Sequence, residues 1–255
     1  MGTTPRSVTM TYNRDVISIQ NELQAAWNGV RAAVSQMYYS SDIRPGDARD
    51  VFSPDASSRE PKFIAGPVVF RVPERASSPT AALYVVLSGW ISFAPPRNAD
   101  PRRTTLRFGT GVGYFHAKAD QLTHVYGAHY DMDEELPGHP VFHVQMCSQA
   151  GLATAIIERF HMSFDKQDDR TAGLLPNIRT PTAQMDVFSV ITQIGADHLV
   201  SEASGPEVHA AFRKLRGACD FFVGAAGRLA YLCNAPAAQC YRSTHWYGRA
   251  DSEVA

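Results

Sequence analysis

Leu106-Arg107-Phe108-Gly109-Thr110-Gly111-Val112-Gly113-Tyr114-Phe115-His116-Ala117-Lys118 and Gln121-Leu122-Thr123-His124-Val125-Tyr126-Gly127-Ala128-His129-Tyr130-Asp131-Met132-Asp133 are the two runs whose reading decides the fold. Both are rich in aromatic and β-branched residues, as strands are. A turn near Ala119-Asp120, centred on Asp120, pairs Lys118 with Leu122, His116 with His124, Tyr114 with Tyr126 and Thr110 with Tyr130. In that register Gly111 lies opposite His129 and Gly109 opposite Asp131. A second connection over Glu134–Gly138 brings in 139–147, pairing His129 with His143, Asp131 with Val141, Asp133 with His139 and Gly127 with Gln145.

Side chains alternate faces along a strand. The even positions are Leu106, Phe108, Val112, Tyr114, Tyr126, Ala128, Tyr130, Met132, Phe142, Val144 and Met146, which make a core face. The odd positions are Arg107, Gly109, Gly111, Gly113, Gly127, His129, Asp131, Asp133, His139, His143 and Gln145, which make a polar face beside a patch without side chains. His116 and His124 are expected to pair on the even face.

Working outward, 62–72 and 81–94 read as two further strands, giving an antiparallel meander of about five strands over 62–147. Apolar residues at Val16, Ile19, Leu23, Trp27, Val30 and Val34 predict a helix over 14–39, within an N-terminal helical region 10–40, with Asn13 as its N-cap. Residues 40–61 and 165–182 hold prolines among polar residues and read as loop and connector. The part from 149 to 233 reads as helical: 149–164, 183–200, and 206–233 opened by Pro206 after Ser204-Gly205. That last helix carries a heptad-like seam of Val208, Phe212, Leu215, Cys219, Phe222, Ala226, Leu229 and Cys233. Residues 234–255 form a tail. The sequence thus predicts a single α+β domain over 1–255, its meander covered by N-terminal and C-terminal helices.

Composition narrows the function classes. Twenty-four basic and twenty-five acidic residues nearly cancel in 255 residues. They cancel locally too, with 10 against 9 over residues 1–100, 8 against 9 over 101–180 and 6 against 7 over 181–255. A polybasic membrane anchor or nucleic-acid coat is therefore not expected. An apolar share of 44% argues against disorder. No apolar run approaches the roughly 20 residues that span a bilayer, and no signal-peptide pattern opens the chain. The reading is a cytoplasmic protein with free thiols at Cys147, Cys219, Cys233 and Cys240. Arginine outnumbers lysine 20 to 4, beside abundant alanine, which fits codon bias in a GC-rich bacterial genome.

Five of the nine histidines fall between His116 and His143, and the chemistry is expected there. A strand glycine leaves room for a ligand or another backbone. The candidate ligand-binding set is Arg107, Gly109, Gly111, His129, Asp131, His139, His143 and Gln145. Two imidazoles and a carboxylate at His129, Asp131 and His143 are donors suited to a divalent metal with open positions. Without metal, a His–Asp pair serves as general base and orienter. The ordinary alternative is a structural polar face, its glycines admitting helix 206–233 or 14–39.

Gly127, His129 and Pro137-Gly138-His139 resemble the metal-binding stretch of cupins, without that family's paired His-x-His. His129-Tyr130-Asp131 resembles the first two ligands of iron/2-oxoglutarate dioxygenases, but His143 follows sooner than that family's last histidine, and position 153, where its arginine would stand, is Ala153. His161-Met162-Ser163 is similar to one of the two motifs of two-histidine phosphodiesterases and falls in an expected helix. Gly109–Gly113 is flanked by strand residues on both sides, so it is not a phosphate loop. Cys233, Cys240 and His245 lack zinc-knuckle spacing. No Gly-x-Ser-x-Gly is present. His198 beside Asp197 reads as a helix-end histidine.

The expected function is a binding or adaptor protein. It would use the Gly/His sheet face and the helical seam, the latter for a protein partner or a homodimer. The alternatives are a metal-dependent hydrolase or oxygenase at His129, Asp131 and His143, or a nucleic-acid-processing component of a bacterial complex, with Arg102, Arg103, Arg107, Arg213, Lys214 and Arg216 as its basic residues.

Overall fold

Residues 6–37, 51–58, 60–73, 81–94, 104–132, 140–167 and 178–220 are described in a computed structural model. Helix α1 (Arg6–Met37) leads into β1 (Phe52–Pro54), β2 (Lys62–Pro73), β3 (Ala81–Phe93), β4 (Thr105–Lys118), β5 (Gln121–Met132) and β6 (Phe142–Met146). A 3₁₀ turn (Ala150–Leu152) and α2 (Ala153–Phe160) precede β7 (Ser163–Gln167) and β8 (Arg179–Pro181). Helix α3 (Val187–Ile194), a π-turn (Gly195–Leu199) and α4 (Pro206–Cys219) complete the order.

The strands form one sheet in the order β1-β2-β3-β4-β5-β6-β8, with β7 also on β5. The expected α+β meander is its centre: β2 to β6 follow one another, all antiparallel. Strand β5 is shared lengthwise. Its Ala128–Met132 half pairs with β6, and its Gln121–His124 half pairs in parallel with β7. Strands β1, β7 and β8 lie in segments read as loop, helix end and connector. Strands β1 and β8 have 3 residues each, too few for alternation to register, and the 5-residue β7 begins inside a stretch whose apolar spacing reads as helix.

Both hairpin registers differ from expectation, in physically different ways. The pairs Gly109–Asp131, Thr110–Tyr130, Gly111–His129 and Tyr114–Tyr126 form as expected. Then Val125 bulges out, so that Phe115 faces His124 and His116 faces Thr123. One extra residue reverses the parity beyond it. The expected His116–His124 pair is thereby broken, and His124 and Leu122 turn to the glycine face. The hairpin closes on Lys118–Gln121, with Ala119 at φ 55°. The β5–β6 register slips by two residues: Asp131, not His129, stands opposite His143, and His129 stands opposite Gln145. An even slip keeps every side chain on its face but changes its neighbour.

The even face of β4 carries the main core. Helices α1, α3 and α4 cover it, and Trp27, Phe52, Phe63, Phe93, Phe108 and Phe188 are fully buried there. Trp27 meets Phe52 edge-on at 5.9 Å, and Phe52 stacks on Phe188 at 5.4 Å. Burying each such ring is worth about 1.5–3 kcal/mol. Helix α3 begins at Asp186, whose Oδ1 accepts from the amides of Phe188 and Ser189, an N-cap made by the side chain. Helix α1 starts before Asn13, which is therefore inside the helix and not its cap.

The described part of the heptad-like seam is used inside the chain. Val208 and Leu215 are buried, and α4 packs on α1 so closely that a methyl on Gly29 would lie 2.9 Å from Ala218 Cβ. Leu215 and Phe212 also close over Gly195 of the π-turn. Seam residues 222–233 lie outside the described residues, as do Cys233, Cys240 and His245.

The opposite face has a smaller core at the Ala119 end of the sheet. Val69, Tyr84, Val86, Phe115, Ala117 and Leu122 pack there under Ala153 and Ile156 of α2. Helix α2 stops at His161, whose φ of 54° makes it a left-handed cap. His161-Met162-Ser163 is thus a helix end running into a strand, not helix. No described helix is long and apolar enough to cross a membrane.

Candidate functional site

Beyond α2 the second face turns polar, and this follows from strand alternation. Two cross-strand rows lie side by side. One runs Trp90, Gly109, Asp131, His143; the next runs Ser88, Gly111, His129, Gln145, Arg179.

Asp131 is the centre. Its Oδ2 lies 3.4 Å from His129 Nε2 and its Oδ1 lies 2.6 Å from His143 Nε2. Both contacts act on the carboxylate through hydrogen bonding ahead of charge. Burial pushes the Asp131 carboxyl up, yet the two imidazoles outweigh it and hold the group well below the usual carboxylate range.

The two histidines differ. His143 is 1% exposed, and its Nδ1 lies 3.2 Å from Pro140 O. Both its ring nitrogens therefore face oxygens. A neutral ring has one N–H to give; a doubly protonated ring has two. The His129 side chain is 36% exposed and reaches solvent from the same carboxylate. The arrangement is a carboxylate between a buried and an open imidazole. Among the described residues, no group of three His, Cys, Asp or Glu side chains is placed to hold a metal ion. His129, Asp131 and His143 come together as a chain rather than as a converging donor set.

The glycines are not an open floor. The Trp90 indole lies across Gly109, where a methyl would meet Nε1 at 2.6 Å. Gln149 Oε1 would be 3.0 Å from a methyl on Gly111; the Phe115 ring would be 2.8 Å from one on Gly113, with Gln149 Cβ at 3.2 Å; and the Cys147 carbonyl and Gln149 backbone nitrogen would meet one on Gly127. The occupants are thus a strand tryptophan and the segment after β6, not helix 206–233 or 14–39. Lys62 Nζ sits 4.8 Å over the Trp90 ring and 3.1 Å from Asp55 Oδ2.

Of the other expected residues, Arg107 is exposed on β4 and Gln145 is half-buried opposite His129. His139 and Asp133 lie outside the described residues. Trp90, Gln149 and Lys62 were not anticipated. Trp90 had a signal, since a tryptophan in a strand facing a glycine-bearing strand has room to lie across it. Gln149 had none, because its place depends on how the chain leaves β6.

A second polar group sits on the main-core face, under the π-turn. Tyr114 meets Tyr126 at 5.4 Å and His198 at 5.6 Å. Tyr126 Oη donates to Met146 Sδ at 2.9 Å. Burial pushes the Tyr114 phenol up to about 12 and raises Tyr126 and Tyr130 as well. Burial lowers His198, and neighbouring Asp197 opposes this only in part. These phenols are neutral donors. A cavity of 490 Å³ lies elsewhere, between α3 and the end of α4, lined by Ser189, Thr192, Arg213, Arg216, Gly217, Cys219 and Asp220.

Comparison with family models, with curated proteins and with solved structures finds no match to this chain.

Proposed function

We propose that this chain is a binding protein whose ligand or partner engages the polar end of the second sheet face. One observation carries the reading: Asp131 is held between buried His143 and open His129. A purely structural face has no need of a charged carboxylate and two imidazoles at a half-exposed position, because burying such groups costs free energy that apolar packing does not. Around them, Gln145 and Arg179 extend the polar row, and Trp90 adds a large aromatic surface with Lys62 on it. Aromatic and arginine side chains beside a polar row are the usual makings of a protein contact.

Site-specific photo-crosslinking tests this. A crosslinker at Gln145 captures a partner that one at Val125, exposed on the bulge, does not; His129→Ala removes the capture. Equal capture at both positions would sink the reading. Nucleic acid captured at Gln145, with affinity falling steeply as salt rises, would move the protein to the nucleic-acid class instead.

The His129–Asp131 contact favours a second reading, metal-free acid–base chemistry. Asp131 would orient the ring, leaving the far nitrogen to take a proton. A metal-dependent enzyme remains the third. Stoichiometric metal in purified protein, lost in His143→Ala, would establish it over the other two.

A further inference from the structure

The second face holds a buried histidine outside the candidate site. His124 sits beside the Val125 bulge, 1% exposed, with the Phe115 ring edge-on at 5.2 Å. Its Nε2 lies 3.3 Å from the backbone nitrogen of Gln149, a group that only donates. Nε2 is therefore the acceptor, and the ring is neutral with its proton on Nδ1. Nδ1 is buried without a hydrogen-bond partner among the described residues. Burial lowers His124 from the ordinary imidazole value.

Gln149 is the residue this bond holds. Its side chain covers Gly111 and, with the Phe115 ring and the Cys147 carbonyl, helps to fill the trough at Gly113 and Gly127, its Nε2 donating to Cys147 Sγ at 3.2 Å. Its carbonyl accepts from Leu152 N at 2.9 Å, so Gln149 also begins the segment that carries α2. Phe115 faces His124 from β4, Gln167 is its register partner on β7, and α2 sends Ala153 and Ile156 to this face. Cys147 is the titratable residue of the adjoining segment; His116 and Lys166 stand one register step away, at Thr123.

We infer that His124 is an acid-operated latch on Gln149, and that its release uncovers Gly111 beside the His129 row. A proton from solvent on Nε2 sets N–H against N–H. The hydrogen bond is lost, and the imidazolium is drawn toward water past Gln149. Gln149 then keeps its side-chain bond to the Cys147 sulfur and the Leu152 amide on its carbonyl. The space vacated lies over Gly111, directly across from His129, while the Phe115 ring still covers Gly113 and the Cys147 carbonyl covers Gly127. The inference does not depend on the binding reading, and it is tested without ligand.

Amide hydrogen exchange on the labelled full chain is the test. Lowering the pH from about 7.5 to about 5 reduces the protection factor of the Gln149 amide by about ten-fold or more, because the imidazolium can no longer accept its N–H. In His124→Gln, whose carboxamide oxygen reaches the same amide without titrating, protection stays constant. Equal losses in the two proteins, or constant protection in the wild type, would overturn the latch. Should His124→Gln fail to fold, the wild type decides alone. The amide shifts of Gly111, Gly113 and Gly127 follow the midpoint of the His124 ring protons; a different midpoint, or no movement, overturns the inference.

Discussion

The two faces of the central sheet are made by the same strands, residue by residue, yet they are built for different ends. One face buries a continuous apolar core under α1, α3 and α4. The other buries a small apolar cluster under α2 and then runs into glycines, two histidines and a carboxylate. Alternation explains how one strand supplies both. It does not explain why the second face stays polar. A sheet covered on both sides by helices normally carries apolar residues on both. The asymmetry therefore assigns stability to the first face and leaves the second free to be specified by something else.

Truncating the matching tryptophan on each face gives the largest expected contrast. Trp27→Ala removes a fully buried ring from the first face and should lower stability by about 3–5 kcal/mol. Trp90→Ala, on the half-buried second face, should cost about 1 kcal/mol or less. Denaturant midpoints measure both. Similar losses would break the contrast and make the second face a core.

Gly127→Ala probes how tightly the trough is filled. The added methyl runs into the backbone carbonyl of Cys147 and the Gln149 amide, which have no flexible end to give way. A loss of about 1–3 kcal/mol is expected. A neutral result would mean that the 147–149 segment lifts freely.

Asp131→Asn removes the charge between the imidazoles and should cost about 1–2 kcal/mol, reduced from a fully buried pair because the site is partly solvated. Its pH dependence has a definite sign. A carboxylate whose folded value is depressed stabilises fully above the ordinary value near 4, and the contribution fades as pH falls toward the folded value. Acid unfolding of Asp131→Asn should therefore be less steep below about pH 4. His124 acts higher on the scale. Its folded value is also lowered, so its contribution is present above about 6.5 and fades as pH falls below that. Thermal melts across pH separate the two windows.

The smallest effect has the opposite sign. Gly217 lies inside α4 with open space where a methyl would go. Gly217→Ala should raise stability by about 0.5–1 kcal/mol through helix propensity alone. A loss in the same melts would show that something contacts this face of α4.

How much of this was legible in the chain follows from how far each signal reaches. The five meander strands were, because 5 to 14 residues of alternation on each outweigh local noise. The set on the polar face also was: His129, Asp131, His143 and Gln145 share it despite a register error of two, since an even slip preserves sides. The partners were not. Asp131 meets His143 only because the β5–β6 connection sets the slip. His124 was misplaced because nothing in Tyr126-Val125-His124 marks a bulge.

Residue order by itself determined an α+β meander, the division of its side chains between an apolar and a polar face, and the gathering of imidazoles near one carboxylate. These are short-range properties, set by periodicity. Tertiary structure alone decided which imidazole sits across from Asp131, that Gln149 covers Gly111 while Trp90 covers Gly109, and that the described part of the α4 seam packs against α1. Each depends on two segments distant in sequence meeting at a distance of ångströms, and that distance is set by bulges, slips and loop paths that no local pattern encodes.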